Sequence, residues 1–128
     1  MPAYDNSRFV PPAPVAEVDL SHVDTGVMWR AVPMLLDSGA DITLIPRAAV
    51  ARLGVTLVPG KQYELVGFDG TTSVSPAVRL KLRFMGRTFQ GQFLLVDQEC
   101  GIVGRNILNT LPLVLDGPRL EWSELQRR

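Results

Sequence analysis

The chain has 128 residues and carries 13 Lys and Arg against 13 Asp and Glu, so its formal net charge is zero. That length suits one domain, and zero net charge argues against a general nucleic-acid binder, which carries a basic excess, while leaving self-association unopposed by repulsion. One cysteine, Cys100, excludes an intrachain disulfide, and no apolar run approaches the roughly 20 residues of a membrane-spanning helix.

Residues 1–14 hold Pro2, Pro11, Pro12 and Pro14. They read as an extended arm, ordered only if a partner fixes it, ahead of a domain over residues 15–128. The arm lacks a basic-then-apolar signal pattern, which is compatible with a cytoplasmic location. From Val15 the pattern is β. Val15, Val18 and Leu20 mix with Glu17, Asp19 and Ser21, Asp24-Thr25-Gly26 supplies turn chemistry, and Val27 to Leu36 resumes as a strand. His22 is expected to face solvent, and no cluster of metal ligands surrounds it in the sequence.

Ile42, Leu44 and Ile45 continue as extended structure, and Pro46 then opens a helix-prone stretch through Leu53, with Gly54 placed to cap it. Tyr63–Phe68 and Thr71–Ser75 flank Asp69-Gly70, a hairpin signal. Val78, Leu80, Leu82 and Phe84 alternate with Arg79, Lys81 and Arg83, as a half-buried strand requires. Met85-Gly86-Arg87 turns the chain back through Thr88–Val96. Arg105–Leu111 reads as a helical turn or two, and Asp116-Gly117-Pro118 closes a final hairpin. The expected fold class is all-β, a closed barrel-like domain with one or two short helices.

One stretch carries chemistry: Leu35-Leu36-Asp37-Ser38-Gly39-Ala40-Asp41, followed by the apolar run Ile42 to Pro46. An Asp that follows buried apolar residues is not there for solubility. Gly39 lets another backbone approach closely, and Ser38 offers a hydroxyl to the turn or to a partner loop. This segment resembles the active-site loop of retropepsins, the single-domain aspartic proteases of retroviruses and their cellular and bacterial relatives. Gly101-Ile102-Val103-Gly104-Arg105-Asn106 resembles a second family element, an apolar-apolar-Gly motif followed by Arg-Asn and a short helix. Gly67-Phe68-Asp69-Gly70 stands where the family has its flap.

The resemblance implies half of a bilobal aspartic protease, with Asp37, Ser38 and Gly39 as the catalytic loop. Gly39, Asp41, Phe68, Asp69 and Gly70 would contact substrate, and Arg105 would support the loop through a buried ion pair with Asp41. Such proteases use two carboxylates sharing one proton, because like charges so close cannot both ionise. A chain with one loop must then dimerise so that a twofold axis brings two copies of Asp37 together. The implied function is a homodimeric aspartic endopeptidase acting on a polypeptide, with no cofactor, metal, nucleic acid or membrane partner. The alternative is an inactive module of the same fold that dimerises or binds peptides. Asp24-Thr25-Gly26 spells a similar tripeptide, but it lies too close to Asp37 to belong to a second lobe and lacks the Ala-Asp continuation. It is expected to be a hairpin turn. The proline-rich arm and the long C-terminal hairpin, Leu113 to Trp122, depart from the viral pattern. The hairpin is the expected source of much of the dimer contact.

Overall fold

A computed structural model describes residues 2–67 and 69–126. The strands are β1 (Tyr4–Asp5), β2 (Ala13–Ser21), β3 (Met28–Leu36), β4 (Leu44–Pro46), β5 (Leu57–Val66), β6 (Thr72–Phe84), β7 (Arg87–Val96), β8 (Gly101–Val103), β9 (Leu113–Asp116) and β10 (Glu121–Glu124). Two short helices interrupt them, α1 (Ala49–Leu53) and α2 (Arg105–Leu108).

Strand alternation decides which side chains face inward. Along β6, Val78, Leu80, Leu82 and Phe84 are buried while Arg79 and Arg83 are exposed. β2 does the same with Ala16, Val18 and Leu20. Sheet order runs β1-β2-β3-β8-β4-β7-β6-β5, and β2 also pairs with β6. That extra pairing closes β2, β3, β8, β4, β7 and β6 into a ring, which leaves those strands without edges. The expected all-β closed domain with two short helices is therefore what this chain forms. Two parallel pairings sit inside the ring, β3 with β8 and β4 with β7, and they place the ends of β3 and β8 side by side.

The turns follow residue chemistry. Met85 and Gly86 both take positive φ, 53° and 76°, as a two-residue hairpin loop with the strands' own twist requires. α1 begins three residues later than the sequence suggests and ends on Gly54 in the left-handed conformation. Asp24-Thr25-Gly26 forms a turn in which the Gly26 N–H donates to the His22 carbonyl at 3.1 Å. His22, expected to face solvent from a strand, instead accepts the Asp24 and Thr25 amides on its Nδ1.

β9 and β10 pair with each other as the expected final hairpin. Trp122 on β10 is 2% exposed and packs its ring 6.1 Å from that of Phe84. The N-terminal arm finds its fixing partner within this chain. The Trp122 amide donates to the Pro2 carbonyl and the Tyr4 amide to that of Leu120, while Tyr4 and Asp5 pair with Pro14 and Ala13 of β2.

Candidate active site

Asp37 is the first residue beyond β3. Its amide donates to the Val103 carbonyl at 3.0 Å, the last residue of β8. The β3–β8 pairing, Leu36 opposite Val103, therefore sets where this carboxylate begins its loop. The loop turns at once. The Gly39 amide donates to Asp37 Oδ1 at 2.9 Å, and the Ala40 amide donates to the Asp37 carbonyl at 3.2 Å. Asp37 is half-buried, while Ser38 and Gly39 are exposed.

The second motif fastens the far side of this loop. The Arg105 amide donates to the Ala40 carbonyl at 2.8 Å, and the Asn106 amide to that of Asp41 at 3.2 Å. Arg105 also reaches over with its side chain. Nη1 donates to the Ser38 carbonyl at 2.7 Å, and Nη2 to Asp41 Oδ1 at 3.0 Å. The Arg105–Asp41 pair expected from the sequence thus forms. It lies at the surface of this chain and is not buried, since the two side chains are 43% and 84% exposed. The loop follows the end of the β3–β8 pair, and Ser38 and Gly39 at its turn are exposed.

Two residues inside the motifs have positions that sequence reasoning did not assign. Thr43 is 1% exposed. Its hydroxyl donates to Asn106 Oδ1 at 2.8 Å and accepts the buried Gly104 amide at 3.1 Å. The signal was available: a lone Thr between Ile42 and Leu44 must bring its hydroxyl to a partner if it is buried. Gly104 has no room for a side chain, because a Cβ there would collide with the backbone of Ile42. Gly101 is comparably tight, its Cβ falling 2.6 Å from the Leu44 carbonyl oxygen.

The remaining sequence-predicted residues belong to a different element. β5 and β6 form a long hairpin whose tip includes Gly67, Asp69, Gly70 and Thr71; Phe68 lies outside the described residues. The Gly67 amide donates to the Thr71 carbonyl at 2.8 Å. Asp69 Oδ1 accepts the Thr71 hydroxyl at 2.7 Å and the Thr71 amide at 3.0 Å. The Thr71 hydroxyl, then its amide, hold the Asp69 carboxyl below its ordinary pKa. Asp69 and Gly70 make no hydrogen bond to the Asp37 loop. Near the tip, Val66 and Val74 are 70% and 61% exposed, an apolar surface with no cover in a single chain.

A closed β domain with one Asp-Ser-Gly loop, backed by a Gly-Arg-Asn segment that clamps it, has the architecture of one half of a bilobal aspartic protease. A sequence profile described as aspartyl protease matches residues 22–108, and the chain belongs to that family. Among solved structures, it resembles the EIAV protease in complex with the inhibitor HBY-793, at 25% identity and a TM-score of 0.56, covering 83% of this chain and 91% of that one. The solution structure of the simian foamy virus (mac) protease aligns at 17% identity and a TM-score of 0.51, over 75% of this chain and 92% of that one, a likeness of fold. No curated protein sequence matches the chain.

Proposed function

We propose that the protein is an aspartic endopeptidase that acts as a homodimer, with two copies of Asp37 facing each other across a twofold axis. The observation that supports this most directly is the Asp37 loop itself. It is clamped by Val103, Arg105 and Asn106, yet it belongs to a chain with one lobe and one such carboxylate. In the dimer the two carboxyls share a proton. The ionised one takes a proton from a water, whose oxygen attacks the scissile carbonyl carbon. The protonated one hydrogen-bonds the carbonyl oxygen and stabilises the tetrahedral intermediate. Proton transfer to the amide nitrogen then lets the C–N bond break, which leaves a carboxylic acid and an amine.

The clamp has a role in this reading. Two carboxylates act together only if each is held to a fraction of an ångström, and the Arg105 contacts to Ser38 and Asp41 hold the turn that aims Asp37. Ser38 stands where its hydroxyl could bond across to the second loop. Gly39 and Asp41 would face the substrate backbone. The β5–β6 hairpin is the flap, and Phe68, Asp69 and Gly70 at its tip would close on an extended peptide, bringing the exposed Val66 and Val74 under cover.

The test is cleavage of a denatured protein at acidic pH. Asp37→Asn, which keeps shape and loses the base, should abolish cleavage and leave the thermal melt within a few degrees of the parent. A pepstatin-like inhibitor should block the parent. Undiminished cleavage by Asp37→Asn would exclude Asp37 as the base. A parent that is dimeric but cleaves nothing would instead favour an inactive peptide-binding module.

A further inference from the structure

We infer that the outer face of β6 and β7 is a docking surface for an extended acidic stretch of the polypeptide substrate; this rests on the peptidase reading above. Alternation along β6 buries Val78, Leu80, Leu82 and Phe84. It turns Arg79, Lys81 and Arg83 outward, with Arg79 and Arg83 exposed and Lys81 half-buried. Residues two apart on a strand stand about 6.8 Å from each other, so the three cations form one row about 14 Å long. Register completes the face. β7 sets Gln92 opposite Arg79, Gln90 opposite Lys81 and Thr88 opposite Arg83, all three exposed, polar and uncharged. On the other flank, β2 sets Ser21 opposite Lys81 and Asp19 opposite Arg83.

The chain supplies no counterion to this row. Arg8, Arg47, Arg87, Arg105 and Arg119 each reach a carboxylate. Among the described residues, Arg79, Lys81 and Arg83 form no ion pair. Asp19, which register sets beside Arg83, instead accepts the Ala31 amide on Oδ1 at 3.1 Å. A positive row left open in this way is complementary to an anionic partner.

The spacing selects the occupant. In an extended peptide every second side chain points to one face at the same interval, so carboxylates at alternate positions meet the three cations one for one. A nucleic acid fits less well. Its affinity grows with the number of phosphates neutralised, and here a short row sits on a chain of zero net charge. The row is also joined to the candidate cleft. β6 is unbroken from Thr72, beside the tip of the β5–β6 hairpin, to Phe84, and Arg79 lies about 24 Å along it from Thr72. An extended linker of roughly eight residues covers that distance. One substrate chain can therefore hold its acidic stretch on this face and its scissile bond under the hairpin. Each exposed ion pair is weak alone, but tethering raises the local concentration of the segment to be cut.

The experiment uses the full chain carrying Asp37→Asn, so that nothing is cut. The probe is a fluorescent peptide containing Glu-Thr-Glu-Thr-Glu, read by anisotropy at pH 7 and low salt. It should bind, and about 0.5 M salt should weaken it roughly tenfold, because screening then reaches only a few ångströms. Joint replacement by Arg79→Gln, Lys81→Gln and Arg83→Gln should abolish binding. A peptide with its three Glu residues adjacent should bind more weakly than the alternating one; this comparison and the salt series use the unaltered face, so they decide even if the triple variant fails to fold. Appending the alternating tract to a denatured protein that the parent cleaves should tighten its binding to the Asp37→Asn chain. Failure of the probe to bind while the parent cleaves proteins overturns this inference and leaves the peptidase reading standing, the row then being a solvated face. Tighter binding of an oligonucleotide of equal charge also overturns it. If the probe binds but the parent cleaves nothing, the peptidase reading falls and the face stands as a site for acidic segments.

Discussion

Arg105 holds the carbonyl of Ser38 at 2.7 Å, so its guanidinium is bound to the backbone of the Asp37 loop as well as to the Asp41 carboxylate. The two contacts differ in consequence. A carboxylate as exposed as Asp41 adds little to stability, about 0–1 kcal/mol for such surface pairs. The bond to Ser38 fixes the turn immediately beside Asp37.

Asp41→Asn should therefore melt within about 1 kcal/mol of the parent. Arg105→Ala should cut cleavage far more than it lowers the melt, because it frees the loop and leaves the core intact. Arg105→Lys should rescue in part, since a point charge cannot make both bonds of the planar fork. Kinetics beside thermal melts check this. Equal activity in Arg105→Ala and the parent would mean that the side chain positions nothing.

Thr43 supplies the buried side-chain bonds among those that join the two motifs. Thr43→Val keeps the shape but leaves the buried Gly104 amide without its acceptor, at a cost of about 1–3 kcal/mol. Thr43→Ser should restore most of that loss. Chemical denaturation of the three proteins measures it, and a Val variant as stable as the parent would contradict the geometry.

Gly104→Ala should be more damaging. Its backbone is extended, with φ −92°, so conformational strain is not the reason. The methyl would meet the Ile42 backbone, which cannot swing aside as a side chain can. Overpacking of this kind costs about 1–3 kcal/mol or more. The expected result is a lower melting temperature together with lost cleavage, as β8 and the Asp37 loop are pushed apart.

Acid should weaken the tie between β7 and the C-terminal hairpin. Arg87 Nη1 and Nη2 donate to the two oxygens of Glu124 at 2.9 and 3.0 Å, and these bonds lower the Glu124 pKa from its ordinary 4.5. A lowered folded-state pKa means that the stabilisation is present above about 4.5 and fades as pH falls through the folded value. Melts of the parent and Glu124→Gln should differ at pH 7 and draw together as the pH falls below the folded value. A gap that persists in acid would show that the ionised carboxylate is not its source.

Asp24→Asn separates the two Asp-containing tripeptides. Asp24 lies in an exposed turn that is held by His22 Nδ1 and the positive φ of Gly26. The variant should cleave as the parent does, in contrast to Asp37→Asn. Loss of activity in both variants would return the first tripeptide to consideration.

Much of this molecule was legible in the linear order of its residues, because that information is local. Alternation between Val78 and Phe84 specified a strand with one wet face, and Asp69-Gly70, Met85-Gly86 and Asp116-Gly117-Pro118 marked reversals through residues suited to turns. The Asp37 and Gly101–Asn106 motifs were recognisable for the same reason, each being a contiguous run. Three features needed the tertiary structure. Closure of the barrel depends on β2 meeting β6, a pairing between segments about sixty residues apart that no local pattern encodes. The exposure of the Arg105–Asp41 pair depends on how the fold surrounds the loop, and both side chains remain at the surface. The role of the proline-rich arm turned on Pro2 and Tyr4 finding the backbone of Trp122 in β10 and of Leu120 just before it. Backbone groups are alike at every residue, so which strand an extended segment joins is decided only when the fold brings a free edge to it.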